Sequence, residues 1–127
     1  MYSTLSHTLT SCIDKSEKKK NGIYFTPPNT IQKNIQYIEP FMKDIKTVLE
    51  PSCGSCEYIT ALKERYDVHI TGIEYNDTIF KSIISLESDS LQLIHDDFLQ
   101  YETNTTYDLI IGNPPYFVMK KKWWNIF

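Results

Sequence analysis

The segment YDLIIGNPPY, residues 107–116, joins an apolar run directly to a polar turn that contains two prolines. Residues 107–112 are dense in leucine and isoleucine, which is typical of a strand buried on both faces of a parallel sheet. The prolines that follow have no backbone N–H to donate to a sheet, so the strand should end before them. Ligands bind at the carboxyl ends of strands in open parallel sheets. We therefore expect Asn113 and the residues after it to lie at a functional edge.

Short apolar strands alternate with helical patterns upstream of this segment. Strands are predicted over residues 46–50, 68–74 and 91–95, and helices over about 57–66 and 77–86, the latter capped by Asp77. An earlier helix should begin near Asn29 or Thr30 and should end or bend at Pro40. This alternation predicts an α/β fold built on a parallel, doubly wound sheet.

Each predicted strand is followed by a polar or small-residue cluster. The first strand runs into Glu50-Pro51-Ser52-Cys53-Gly54, whose small residues allow the backbone to approach a ligand closely. Glu74 ends the second strand, where nucleotide-binding sheets place a carboxylate on ribose hydroxyls. A role in starting the next helix is the alternative for Glu74. Asp97-Phe98 follows the third strand and could offer an adenine ring an acceptor and an apolar wall, unless it forms a simple turn.

The tetrapeptide Asn113-Pro114-Pro115-Tyr116 suits chemistry at an exocyclic amino nitrogen. The lone pair of that nitrogen is delocalised into the ring, which makes it a poor nucleophile. Two acceptors, the Asn113 side-chain oxygen and the Pro114 carbonyl, can hold the amino hydrogens out of the ring plane and make the lone pair available. Pro115 stiffens this backbone, and Tyr116 offers a ring on which an extruded base can stack. A strand-terminating turn with an exposed tyrosine is the alternative.

The composition limits the other possibilities. Hydrophobic residues make up 41% of the 127 residues, which suits one globular domain, and no apolar run approaches the roughly 20 residues that span a bilayer. The N-terminus lacks the features of a signal peptide, so we expect a cytoplasmic protein, or a nuclear one if the source is eukaryotic or viral. A net charge of -3 argues against a dedicated nucleic-acid-binding module. The polar residues 14–22 predict that residues 1–22 form a mobile arm.

Together these residues resemble the N6-adenine DNA methyltransferases of the gamma arrangement, in which cofactor motifs precede the catalytic motif and a target-recognition domain follows. The resemblance covers about residues 20–120, in the order of the family. It identifies an N-terminal cofactor motif, a cofactor loop, a ribose-binding acid, an adenine-binding pair and a catalytic motif. In that order, the matching residues are Tyr24, Thr26 and Pro27; Glu50, Pro51, Ser52, Cys53 and Gly54; Glu74; Asp97 and Phe98; and Asn113, Pro114, Pro115 and Tyr116.

The resemblance also implies a fold and a reaction. Residues 23–127 would form a partial Rossmann-like catalytic domain of the S-adenosylmethionine-dependent methyltransferase type, with the later strands and the target-recognition domain missing. The cofactor would be S-adenosylmethionine, with no metal, and the substrate a flipped adenine in duplex DNA. The adenine nitrogen would attack the sulfonium methyl in line, while the protein positions and polarises it. DNA would be contacted through a missing or separate recognition domain or a complementing chain, as in restriction-modification systems.

Two features depart from the pattern of this family. Cys56 stands where the cofactor loop normally has a second glycine, and a side chain at a position with positive φ costs about 1–2 kcal/mol. The chain also ends at Phe127, which would leave Trp123 and Trp124 without a core to pack against. An inactive remnant, or one piece of a split enzyme, is therefore an alternative to a working methyltransferase.

Three further alternatives remain open from the sequence. Cys53 and Cys56 form a C-x-x-C motif between a strand and a helix, as in thiol redox proteins. Methyltransferases that act on a glutamine of release factors share the catalytic tetrapeptide, because an amide nitrogen poses the same chemical problem. The loop Glu50–Gly54 and the preceding motif at Tyr24 favour the DNA group, and RNA adenine is a third substrate class.

Overall fold

A computed structural model of the protein describes residues 3–21 and 23–116. Within this part of the chain, the parallel strands form a four-stranded sheet in the order β3-β2-β1-β4. The chain moves outward from β1 to β3 and then returns to the opposite side of β1, so the predicted doubly wound arrangement is confirmed. The strands are β1 (Thr47–Glu50), β2 (His69–Glu74), β3 (Leu91–His95) and β4 (Leu109–Ile110).

Five α-helices lie in the described residues, some with starts that differ from those predicted. The helix near residue 30 begins at Pro28, because Pro27 is its extended N-cap residue and neither Asn29 nor Thr30 caps it. Pro40 does end the α-helical geometry, and a 3-10 helix continues over Glu39–Asp44. The helices are α1 (Thr4–Cys12), α2 (Lys15–Asn21), α3 (Pro28–Ile38), α4 (Glu57–Lys63) and α5 (Asp77–Ile83), the last followed by a 3-10 turn at Ile84–Leu86.

The cap of α5 also differs from the prediction. Asn76, rather than Asp77, is the N-cap residue, and its side-chain oxygen accepts a hydrogen bond of 3.0 Å from the Ile79 amide. Both residue types cap helices well, so composition alone did not distinguish them.

The N-terminal residues do not form the predicted arm. Leu9 and Ile13 are buried in the hydrophobic core, and Ser6 is buried as well. The prediction rested on the polar composition of residues 14–22, which carries no information about the apolar face of the helix that precedes them. Residues 3–13 therefore belong to the folded unit, and the expected boundary near residue 22 is wrong for them.

The core lies on both faces of β1 and β2 and fixes the strand ends that carry the candidate site. Val48 on β1 and Ile73 on β2 are fully buried. Gly72 on β2 permits this close packing, because a Cβ added there would lie 2.9 Å from Cδ1 of Ile59 and 3.2 Å from Sγ of Cys53. The packing behind β2 is therefore continuous with the loop that follows β1.

Strand β4 is shorter and more exposed than its sequence predicted. Only two residues pair with β1, and the Ile110 side chain is 62% exposed, so burial on both faces is not observed for the described residues. Asp108 aligns the strand, since its carboxylate accepts hydrogen bonds from the amides of Lys46 (2.8 Å) and Thr47 (3.0 Å). The predictions for Trp123 and Trp124 lie outside the described residues. No helix in the described parts of the chain is long and apolar enough to cross a membrane.

Candidate functional site

The loop of residues 51–56 connects β1 to α4 and is tied to the end of β2. The Cys53 amide donates to the Ile73 carbonyl at 2.8 Å, and the Cys56 amide donates to the Cys53 carbonyl at 2.8 Å. Gly54 has φ +52° and Cys56 has φ +62°, both in the left-handed region. The position of Cys56, where the family has a second glycine, does have a positive φ, and Cys56 holds this strained conformation while completely buried.

Glu74 joins the loop to the start of the next helix. One carboxylate oxygen accepts the Gly54 amide at 2.9 Å, and the other accepts the Asn76 amide at 2.7 Å. Burial raises the pKa of the Glu74 carboxyl, against the opposing effect of these hydrogen bonds. Glu74 therefore fixes the backbone at two strand ends, and its predicted contact with a ribose remains a prediction.

Glu50 and Ser52 bring polar atoms into the interior without partners among the described residues. Glu50 Oε2 and the Ser52 hydroxyl oxygen are buried and accept or donate no hydrogen bond. Burial raises the pKa of the Glu50 carboxyl well above its usual value, and the nearby ionisable groups of Cys56, Glu74 and Glu57 raise it further. A buried carboxyl of this kind is costly unless a donor or a cation reaches it.

A small cleft above this loop brings together residues from three distant parts of the sequence. Asn113, which follows β4, donates from Nδ2 to the Thr26 hydroxyl at 3.4 Å, and the Tyr116 hydroxyl donates to Asn113 Oδ1. Predicted site residues that line the cleft are Tyr24, Thr26, Glu50, Ser52, Cys53, Gly54 and Asn113. The cleft thus joins the N-terminal motif, the loop and the tetrapeptide at the edge where the strand order reverses.

The remaining predicted residues lie outside this cleft. Tyr116 is 68% exposed and Phe98 is 41% exposed. Asp97 Oδ1 accepts the Leu99 amide at 3.0 Å, which is the local turn that its sequence also allowed. Glu74 lies beneath the loop. Pro27, Pro51, Pro114 and Pro115 are also not among the residues lining the cleft.

Four more residues line the cleft: Phe25, Ser55, Glu57 and Tyr58. Phe25 and Ser55 lie within the two cofactor motifs that the resemblance identified, whereas Glu57 and Tyr58 were not predicted from the sequence. A Cβ added at Gly54 would lie 3.7 Å from two atoms of the Phe25 ring, so this ring covers the glycine. Tyr58 is buried and its hydroxyl accepts a hydrogen bond from the Asn34 side chain.

The thiols in the loop are poorly suited to redox chemistry. Cys53 and Cys56 are free and buried. A hydrogen bond with Cys56, followed by burial, raises the pKa of the Cys53 thiol. Reactive cysteines of C-x-x-C enzymes have lowered thiol pKa values and partial exposure. The structure therefore argues against the redox alternative.

The order and spacing of these elements match a known family. The family model of the Eco57I restriction-modification methylase matches residues 20–125, which is most of the 127-residue chain. The chain belongs to the Eco57I restriction-modification methylase family. This membership confirms the expected resemblance to DNA modification methyltransferases.

Two viral modification enzymes illustrate how much of a family member the chain represents. Modification methylase CviBIII of Paramecium bursaria Chlorella virus NC1A is 32% identical over 121 residues, covering 92% of this chain and 32% of CviBIII. Type II methyltransferase M.CvrRI of Paramecium bursaria Chlorella virus XZ-6E is 31% identical over 106 residues, covering 83% of this chain and 27% of M.CvrRI. The chain therefore spans about a quarter to a third of the length of these relatives.

Solved structures confirm the fold of this family member. The human methyltransferase 10 domain containing protein aligns with a TM-score of 0.61 at 15% identity, over 88% of this chain and 63% of that protein. CalS10, an amino pentose methyltransferase from Micromonospora echinaspora solved with SAM bound, aligns with a TM-score of 0.57 at 16% identity, over 80% of this chain and 42% of CalS10. The fold is the Rossmann-like α/β fold of S-adenosylmethionine-dependent methyltransferases.

Proposed function

We propose that this chain binds S-adenosylmethionine in the cleft above loop 51–56 and carries the amino-group acceptors of an adenine-N6 DNA methyltransferase. The observation that carries the proposal is the meeting of Asn113, Thr26 and the loop at one cleft. The family supports the reaction class, since the relatives with the highest identity quoted above are modification methyltransferases.

The polar groups at the base of the cleft suit the cofactor. Glu50 Oε2 and the Ser52 hydroxyl have no hydrogen-bond partner among the described residues. An ammonium group meets the need of a buried carboxylate, and the absence of a side chain on Gly54 leaves room for close approach. We propose that Glu50 and Ser52 bind the amino acid end of the cofactor, whose sulfonium centre supplies an electrophilic methyl group.

The tetrapeptide is proposed to prepare the acceptor nitrogen. The Asn113 side-chain oxygen and the Pro114 carbonyl accept the two amino hydrogens of adenine and make the nitrogen lone pair available. In the structure Asn113 Oδ1 already accepts a hydrogen bond from the Tyr116 hydroxyl, so an entering base has to displace that hydroxyl. Tyr116 is largely exposed, and its ring is free to turn toward a flipped base.

The other predicted residues have supporting roles in the proposal. Tyr24 and Thr26 form the wall of the cofactor site, with Thr26 positioning Asn113 through its hydroxyl and Pro27 stiffening the backbone that follows. Glu74 accepts ribose hydroxyls with the lone pairs that the Gly54 and Asn76 amides leave available. Asp97 and Phe98 contact the adenine of the cofactor. Pro51 and Pro115 stiffen the adjoining backbone.

Contacts with DNA are proposed to come mainly from another part of a larger assembly. The net charge of this chain is -3, which is unfavourable for binding a polyanion through a broad surface. Ile110 on β4 is also well exposed at an edge of the described sheet, where a further strand is able to pair. A target-recognition domain or a complementing chain would supply the basic surface and cover this edge.

A methyl-transfer assay tests the substrate class. The protein is incubated with methyl-labelled S-adenosylmethionine and, in separate reactions, adenine-containing duplex DNA, RNA and release factor. We expect label in DNA that is recovered as N6-methyladenine and lost in Asn113→Ala. Cys12→Ser, an exposed site, serves as the matched control. Label recovered on cytosine, RNA or glutamine, or label in DNA that Asn113→Ala transfers as well as the wild type, would contradict the proposal.

A further inference from the structure

The N-terminal helix α1, which no motif of the resemblance includes, contacts the proposed cofactor loop through buried polar groups. Four residues, Ser3, Ser6, Ser55 and Glu57, form a connected serine–glutamate network. Ser3 and Ser6 lie at the start of α1, whereas Ser55 belongs to loop 51–56 and Glu57 begins α4. The network therefore joins segments about 50 residues apart in the chain.

Every hydroxyl in this network has a partner. The Ser6 hydroxyl donates to Glu57 Oε1, and the Ser3 hydroxyl donates to the same oxygen. Ser55 Oγ lies 2.8 Å from Ser6 Oγ, and either hydroxyl can be the donor in this hydrogen bond. Ser6 and Ser55 are both buried. Hydrogen bonds to an ionised carboxylate are stronger than neutral ones, particularly where water is excluded.

Ser55 occupies a sensitive position in the loop. It stands between Gly54 and Cys56, the two described residues that have positive φ. The Cys56 conformation is strained, so the loop needs contacts that hold it in place. Glu74 holds Gly54 from below, through its amide. Ser6 and Glu57 hold Ser55 from the side of α1 and α4.

We infer that Ser6 is a positioning residue for the cofactor loop, acting through Ser55 and Glu57. It does not line the cleft described above, whereas Ser55 and Glu57 do. Loss of the Ser6 hydroxyl removes one of the two partners of Ser55 and one donor to Glu57, so that the loop opens more often. The open loop cannot present Gly54 to the cofactor. The apparent affinity for the cofactor is therefore proportional to the fraction of molecules whose loop is closed. This inference rests on the proposed cofactor site only in that last step.

The loop thiols provide a direct measure of opening that needs no cofactor. Cys53 and Cys56 are buried, so an alkylating reagent reaches them when the loop opens, whereas Cys12 on α1 is exposed and serves as the internal reference. For Ser6→Ala we expect alkylation of Cys53 and Cys56 to be about fivefold faster, as the loss of one net hydrogen bond predicts, with Cys12 unchanged. Peptide mass spectrometry assigns each rate to its cysteine.

Ser11→Ala is the matched control, because it makes the same substitution in α1 and its hydroxyl donates to the carbonyls of His7 and Thr8 in that helix. Its thiol rates should equal those of the wild type. Ser55→Ala tests the network from the loop side. The effects of Ser6→Ala and Ser55→Ala should be strongly non-additive in the double variant, because they remove the same hydrogen bond.

Two results would overturn the inference: unchanged Cys53 and Cys56 rates in Ser6→Ala, or effects of the two serine substitutions that simply multiply. Calorimetric titration with S-adenosylhomocysteine then tests the last step. The affinity of Ser6→Ala should fall by the ratio of the two closed fractions, which the alkylation rates relative to Cys12 give, and by no more than about fivefold. If wild-type protein binds no cofactor while the alkylation results hold, the proposed function fails and the positioning of the loop by Ser6 stands. An affinity that departs from this ratio of closed fractions would contradict the link to the cofactor.

Discussion

Replacement of Glu50 by glutamine should reduce the dependence of stability on pH. Burial, and then the neighbouring groups Cys56, Glu74 and Glu57, raise the pKa of the Glu50 carboxyl well above its usual value. In the unfolded chain the same carboxyl titrates near that usual value. Between the two pKa values the folded protein therefore holds a proton that the unfolded chain has lost. The free energy of unfolding of the wild type consequently falls as pH rises through this window.

The size of the effect follows from the linkage between protons and folding. Each pH unit within the window should lower the free energy of unfolding by about 1.4 kcal/mol through Glu50 alone. This loss of unfolding free energy begins at the pKa of Glu50 in the unfolded chain and is complete above its pKa in the folded protein. Glutamine does not titrate, so the stability of Glu50→Gln relative to the wild type should increase across the window and then level off. Glu74, whose pKa is also raised, is present in both proteins, so only its electrostatic coupling to Glu50 enters the difference.

Urea unfolding of both proteins at pH values from about 4 to 8 measures this difference. Glu64→Gln is the matched control, because Glu64 is exposed at the end of α4 and its substitution should leave the pH profile unchanged. Parallel profiles for the wild type and Glu50→Gln, or a wild type that gains stability relative to the variant as pH rises, would refute the reasoning about Glu50.

Substitutions at three further positions test the packing behind β2, the cofactor loop and the tetrapeptide. Gly72→Ala should lower the free energy of unfolding by about 1–3 kcal/mol in urea, because the new Cβ would lie 2.9 Å from Cδ1 of Ile59; a cost near zero would mean that β2 has free space. Cys56→Gly should raise cofactor affinity in calorimetry, since glycine adopts φ +62° without strain; unchanged or weaker binding would contradict this. Tyr116→Phe should retain methyl transfer, because the ring remains and Asn113 Oδ1 is released from its hydrogen bond. Tyr116→Ala should lose about 1–3 kcal/mol of base stacking. Equal methyl-transfer rates for the two variants would argue against a stacking role.

The parallel sheet was predictable because its strands are short apolar runs bounded by turn residues and acids. Leu91–His95 was predicted with the boundaries that the structure has, and β1 and β2 differ from prediction by one residue at their starts. Each ends at a turn or an acid that composition makes visible. The meeting of Glu50 and Asn113 at one cleft was also predictable, since parallel strands bring their carboxyl ends to the same edge. Thr26, which follows no strand, was assigned to the site only by the resemblance to a family.

Tertiary contacts explain what the sequence did not predict. The role of α1 depends on Leu9, whose burial becomes apparent only when the helix is placed on the core. The serine–glutamate network joins Ser6 to residues about 50 positions away, with no local pattern to mark it. Ile110 was expected to be buried because its neighbours in the sequence are apolar. Its burial depends instead on which elements cover the strand, and in the structure its side chain is exposed.

Titration of the protein with S-adenosylmethionine in a calorimeter shows whether the cleft above loop 51–56 binds the cofactor. We expect saturable binding of one cofactor per chain. Glu50→Gln should weaken the binding about tenfold or more, because glutamine cannot ionise to pair with the ammonium group of the cofactor. Absence of binding by the wild type at high protein concentration, or equal affinity for the wild type and Glu50→Gln, would contradict the proposed cofactor site.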